Sequence, residues 1–144
     1  YFAVVHGVPN GDSGTIVGAV GRHPVDRKKY AVVSDASGRY ARTHWTLVER
    51  FGDYSLLRFK LDTGRTHQIR VHCAHINHPV VGDPTYSRCR KLPVDLPGQA
   101  LHAVQLGLDH PITGERMVFA APLPPVMEKL LLVLRRRSGA SSPV

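Results

Sequence analysis

Leu61-Asp62-Thr63-Gly64-Arg65-Thr66-His67-Gln68-Ile69-Arg70-Val71-His72-Cys73-Ala74-His75-Ile76-Asn77 is the stretch where the chain changes character, and its reading decides the fold. Ile69, Cys73 and Ile76 recur at offsets of four and three, which places them on one helical face and predicts a helix over Thr66 to Asn77. Thr63-Gly64-Arg65 makes a tight entry, and Thr66 is the expected cap of the first turn. Asn77-His78-Pro79 ends the helix, because proline cannot continue it and restricts the residue before it.

Upstream of this helix the text is strand-like, with short β-branched and aromatic runs between Gly, Pro, Asn and Asp. Strands are expected near Tyr1 to His6, Thr15 to Val20, Lys29 to Ser34, Ala41 to Arg50 and Ser55 to Leu61. Thr43 to Glu49 alternates polar and apolar residues, and Phe51-Gly52-Asp53-Tyr54 supplies a turn, so the last two strands read as a hairpin. Trp45 and Tyr54 are expected to pack in the core or across strands. Downstream, the polar, proline-bearing segment from Gly82 to Gln99 reads as a surface loop. Strands return at Leu101 to Asp109 and Met117 to Ala121, around the turn Asp109 to Glu115. Pro124 and Pro125 open a final helix with Val126, Leu130, Val133 and Leu134 on one stripe, and Arg135-Arg136-Arg137 complement the dipole at its end. The expected architecture is α+β: a mixed, largely antiparallel sheet flanked by helices. It forms one domain over residues 1–137, followed by a disordered tail from Ser138.

The composition supports a folded domain, and its charge alone fits a polyanionic partner and a merely solubilising surface equally well. In 144 residues, 42% are hydrophobic, enough to build a core. Nineteen Lys and Arg against eleven Asp and Glu give a formal charge of +8, and such a surface attracts nucleic acid first. Two cysteines, Cys73 and Cys89, are too few for a disulfide framework, so a reducing cytoplasm is the expected location. No apolar run reaches the length of a membrane span. The opening Tyr1-Phe2-Ala3-Val4-Val5-His6-Gly7 is a strand pattern with no initiator Met, and looks like a cut inside a longer protein. On that reading Tyr1 frays, and a bared sheet edge favours a dimer or a domain swap.

A Gly-Arg turn feeding a helix start offers backbone N–H groups and a guanidinium to one anion, and Arg70 projects one turn later. Taken alone, the same residues describe a solvated helix start. The run L-x-T-G-R-T-H-Q-I-R-V-H, then H-P-V-x-G-D-P-x-Y ending at Tyr86, resembles the C-terminal signature of the RluA and RsuA-type RNA pseudouridine synthases, the former almost letter for letter. Tyr1 to Gly7 is similar to that family's Tyr-x-Ala strand, and Ala41-Arg42-Thr43-His44-Trp45 to its Ala-x-Thr-x-Tyr strand. Leu101-His102-Ala103, Asp109-His110-Pro111 and Phe119-Ala120-Ala121-Pro122 resemble its closing elements, in the family's order.

The resemblance implies isomerisation of uridine to pseudouridine in ribosomal or transfer RNA, without metal or organic cofactor, on a nucleotide flipped from its stack. It assigns Arg70 to the arginine that pairs with the catalytic aspartate, keeping that carboxylate ionised. Tyr1 corresponds to the tyrosine lying against the target base. Arg65, His67 and Gln68 are expected to contact phosphate and substrate, and Arg22, Arg39 and Arg42 to contact RNA phosphate. The family's aspartate sits in an Arg-Leu-Asp-x-x-Thr-Ser-Gly segment upstream of the tyrosine, and this chain does not contain that segment. Asp62 falls at a position the family does not use for catalysis. Asp12, Asp26, Asp35 and Asp53 occupy turns, and Asp83 belongs to the Gly-Asp-Pro turn. The expectation is therefore an enzyme whose 144-residue portion is inactive alone.

Two other classes compete. A non-catalytic RNA-binding module would explain the charge and the arginines equally well. A metal site is suggested by His72, His75 and His78 beside Cys73, but spacings of three drift around a helix and no HExxH or CxxC accompanies them, so none is expected.

Overall fold

The computed structural model describes residues 1–87, 98–102, 105–109, 116–120 and 124–138. Its elements are β1 (Phe2–His6), β2 (Ser13–Val17), β3 (Ala19–Arg22), β4 (Tyr30–Val33), β5 (Arg42–Arg50), β6 (Tyr54–Leu61), α1 (Gln68–His75), β7 (Leu101–His102), β8 (Gln105–Asp109), β9 (Arg116–Ala120) and α2 (Pro125–Ser138). Five strands form an antiparallel sheet in the order β2-β5-β6-β1-β7, while β3-β4 and β8-β9 are separate two-stranded ribbons.

The alternation of side chains along a strand explains why this sheet has a helix on each face. Ala3 and Val5 of β1, Leu57 and Phe59 of β6 and Trp45 of β5 join Ile69 and Cys73 of α1 in one buried cluster. Val4 and Leu56 point the other way and meet Leu130, Leu131 and Leu134 of α2. Strand β1 is therefore apolar at consecutive positions because both of its faces are covered. A third cluster, Val20, Ala41 and Val71 with Tyr30, Val32 and Tyr86 against it, seats the β3-β4 ribbon on α1. The β5-β6 hairpin is as expected, with a bulge between Leu47 and Glu49, and Trp45 and Tyr54 pack in the two main clusters.

Several expectations need correction. The single strand expected over Thr15 to Val20 is two strands in different sheets, broken at Gly18. The first helix is shorter than Thr66 to Asn77, and its N-cap is His67 in the left-handed region (φ 56°), not Thr66. Asn77, at φ 65°, ends it as expected. In α2 the buried residues are Met127, Leu130, Leu131 and Leu134, while Val126 and Val133 lie at the margin. The helix runs through Ser138, where the tail was expected to start. Tyr1 does not fray: its carbonyl accepts the Phe59 N–H at 2.8 Å, its amine donates to the Phe59 carbonyl at 3.2 Å, and its side chain packs on the first cluster. Strand expectations at residues 103–104, most of the turn after Asp109, Cys89 within the 82–99 loop, and the tail from residue 139 lie outside the described residues.

Candidate active site

The turn between β6 and α1 is held by a side chain inside the helix. Gln68 is buried, and its amide is fully committed. Its Oε1 accepts the Thr63 hydroxyl at 2.7 Å and the Arg65 backbone N–H at 2.9 Å, and its Nε2 donates to the Arg42 carbonyl at 3.1 Å and to Thr43 Oγ1 at 2.9 Å. The Thr63 hydroxyl in turn accepts the Arg42 N–H at 3.1 Å. Gln68 thus ties the turn to the start of β5, and no side chain caps the first turn of α1. It was expected to contact substrate; the structure gives it bonds that shape the turn.

Arg70, one helical step beyond, meets the segment after the helix. Its Nε and one Nη donate to the two carboxylate oxygens of Asp83 at 2.8 and 2.9 Å, a side-on fork. The Arg70 side chain is 12% exposed and the Asp83 side chain 0%. Burial works against charge on Asp83, but Arg70 and the N–H groups of Thr85 and Tyr86 outweigh it and hold the carboxyl below its ordinary range. The Arg70 guanidinium is correspondingly stabilised in its charged form by Asp83. Tyr86 stacks under it, its ring centroid 5.1 Å from the guanidinium carbon. The Tyr86 hydroxyl accepts the Tyr30 N–H at 3.0 Å and lies 2.8 Å from His67 Nδ1. Burial, and then the nearby Arg70 charge, push the His67 imidazole toward its neutral form.

Tyr1, Arg65, His67, Gln68 and Arg70, with Leu61, Gly64, Ile69 and Leu101, line one cleft of about 210 Å³. Its walls combine an aromatic ring, aliphatic side chains and cations, and no carboxylate among the described residues lines it. A neighbouring recess of about 290 Å³ shares Gly64 and Arg65 and adds Arg39. Arg65 itself is braced by a bond from Nε to the Tyr40 carbonyl at 2.8 Å. Arg22 is elsewhere: it stacks on Tyr30 at 4.9 Å and lines a different recess with Arg27. Arg42 lies 3.4 Å from Asp62, an exposed pair that His44 also joins at 2.7 Å. The expected contacts therefore divide into a cluster around Arg65 and Arg70, a neighbour in Arg39, and two residues, Arg22 and Arg42, set apart from it.

Asp83, Tyr86 and Thr43 escaped sequence reasoning as site residues. The signals were the Gly82-Asp83-Pro84-Thr85-Tyr86 run, whose aspartate reads as a turn former, and Thr43 in the Ala-x-Thr strand motif, which carries no role by itself. The three histidines do not converge: His72 contacts Thr43 and Gly18, His78 contacts the His6 carbonyl, and His75 lines a third recess. Among the described residues no group of three or more His, Cys, Asp or Glu is placed to hold a metal ion. No helix among them is long and apolar enough to cross a membrane.

The chain is 51% identical over 138 residues to an uncharacterised RNA pseudouridine synthase of Synechocystis, covering 95% of this chain and 42% of the relative. It is 48% identical over 147 residues to the ribosomal large subunit pseudouridine synthase D of Pseudomonas aeruginosa, covering 94% of this chain and 45% of that protein. The chain thus spans less than half the length of these relatives. Among solved structures, human RNA pseudouridylate synthase domain containing 1 superposes with a TM-score of 0.71 at 28% identity, over 90% of this chain and 56% of that one. The family model described as RNA pseudouridylate synthase matches residues 1–75, from the Tyr1 strand through α1. The chain belongs to the RNA pseudouridylate synthase family.

Proposed function

We propose that the protein carrying this chain isomerises uridine to pseudouridine in RNA, with the cleft between Tyr1 and Arg70 receiving the flipped nucleotide. The observation that carries this reading is the convergence of Tyr1, Arg65, His67 and Arg70, from two separate stretches of sequence, on that single cleft. The reaction breaks the bond from the sugar to N1 and makes one from the sugar to C5; the C5 proton is lost and N1 gains one. The step is a redox-neutral isomerisation that needs no co-substrate, and the reading, like the family resemblance, includes neither a metal nor an organic cofactor.

In this reading the Tyr1 ring lies against the base, where stacking compensates for the stacking lost on flipping. Arg65, on the wall the two recesses share, and Arg39, which lines the second, grip phosphate. Gln68 acts indirectly, by shaping the turn that presents Arg65. Arg70 faces the reacting centre and keeps ionised a carboxylate that comes from outside the described residues. Arg22 and Arg42 are peripheral phosphate contacts. The Cys73 thiol is buried and kept protonated by desolvation, so it takes no part in the chemistry.

Relatives named for the large ribosomal subunit make an unmodified large-subunit ribosomal RNA transcript the first substrate to test, with transfer RNA second. The test incubates the full-length protein with each transcript and measures pseudouridine. Conversion without added cofactor is the expected result. Tight binding with no conversion of either transcript would favour the RNA-binding module instead.

A further inference from the structure

The side-on pairing of Arg70 with Asp83 leaves part of the guanidinium unused. An arginine carries five N–H bonds, and Asp83 takes the one on Nε and one on Nη2. Among the described residues Nη1 has no partner, so the end of the fork remains available to whatever enters the cleft that Arg70 lines. We propose that Asp83 and Tyr86 are positioning residues, holding Arg70 so that the end of its guanidinium faces the reacting group. This rests on the reading of Arg70 given above.

Three features make the arrangement hard to rotate. Asp83 is buried and also bound by the Thr85 and Tyr86 N–H groups at 2.9 and 3.2 Å, so it cannot follow Arg70 elsewhere. If Arg70 turned away, a buried carboxylate would lose its counter-charge. The Tyr86 ring limits movement out of the guanidinium plane. The tilt of that ring is set by its hydroxyl, which accepts the Tyr30 N–H and shares a hydrogen bond with His67 Nδ1. His67 holds a left-handed backbone that a non-glycine residue keeps only where its surroundings over-determine it. The network therefore joins the turn before α1, the turn after it, and β4 around one guanidinium.

Asp83 also offsets the charge of Arg70. A second carboxylate arriving at the end of the fork would share the cation rather than neutralise itself fully, and so stay reactive. Losing Asp83 should then loosen the geometry while leaving more positive charge for RNA, and these two effects move different measurements. Orientation governs turnover, and charge governs binding.

The experiment uses the full-length protein and the transcript that it converts, comparing Asp83→Asn, Tyr86→Phe and Arg70→Lys with the parent. For Asp83→Asn, the single-turnover rate should fall about a hundredfold, as expected for a misplaced catalytic contact. Its dissociation constant for RNA should be unchanged or lower. Tyr86→Phe keeps the ring and the fold, and should lose roughly tenfold in rate at unchanged RNA affinity. If Asp83→Asn does not fold, the Tyr86→Phe result decides. Parent-like rates in the foldable variants, with Arg70→Lys impaired, would overturn the positioning role and leave the site reading standing. Parent-like rates in Arg70→Lys as well would overturn the reading of Arg70 itself.

Discussion

Thr43 and His72 share a buried hydrogen bond of 2.7 Å that fixes the proton positions of both side chains. His72 Nε2 lies 2.9 Å from the Gly18 carbonyl, which can only accept, so the ring proton is on Nε2 and Nδ1 is an acceptor. The Thr43 hydroxyl must then donate to Nδ1, and it accepts from Gln68 Nε2. A single chain of bonds links the break between β2 and β3, strand β5, helix α1 and the turn before it.

Removing the centre of that chain should be costly. Thr43→Val keeps the shape but strips partners from both His72 and Gln68, and should lower stability by about 2–4 kcal/mol. Thr43→Ser keeps the hydroxyl and should cost only about 1 kcal/mol for the missing methyl. Urea unfolding of the two variants checks this, and equal losses would show that the hydroxyl is unimportant.

Acid should destabilise the fold in two steps. Burial lowers the folded-state pKa of His72, and burial with Arg70 lowers that of His67, so the unfolded chain takes up protons first as pH falls. Stability from these histidines is complete above the ordinary imidazole value of 6.5 and is lost as pH falls from there through their folded values. Asp83, lowered below 3.8, adds a second loss at more acid pH. Unfolding midpoints measured across this range should show both steps, and His72→Gln should flatten the first.

Helix α2 should depend on its apolar stripe far more than on its ion pair. Leu130 is fully buried, and Leu130→Ala should cost about 2–5 kcal/mol. Glu49 receives Arg135 at 2.9 Å, but both side chains are partly exposed, at 29% and 38%. Glu49→Gln should therefore cost no more than about 1 kcal/mol. Thermal unfolding of the two variants distinguishes them.

Periodicity made the hairpin, the helix and most strands legible, because each depends on side-chain alternation within a short window. The break at Gly18 was not, since Ile16, Val17, Ala19 and Val20 all suit a strand. What divides them is tertiary: a Cβ at Gly18 would lie 2.8 Å from Val32 Cγ1, so the ribbon packs where only glycine fits. The cap at His67 was missed because it is a left-handed backbone residue with no capping side chain, whereas local rules look for a side-chain cap such as Thr66. Within the site, Arg65 and Arg70 were visible because they fall in the Leu61 to His72 run that resembles the family signature; alone they read as a solvated helix start. Asp83 was not, because its partner lies thirteen residues away across the helix.

The central claim is that the Arg70 guanidinium serves the conversion of uridine, and Arg70→Lys tests it most directly. Lysine keeps a cation beside Asp83 but cannot span two groups with a planar fork, whereas alanine would leave a buried charge unpaired and risk the fold. The measurement is pseudouridine formed in a single turnover by the full-length protein. The account predicts a loss of about a hundredfold or more at nearly unchanged RNA affinity. Conversion at the parent rate would contradict it.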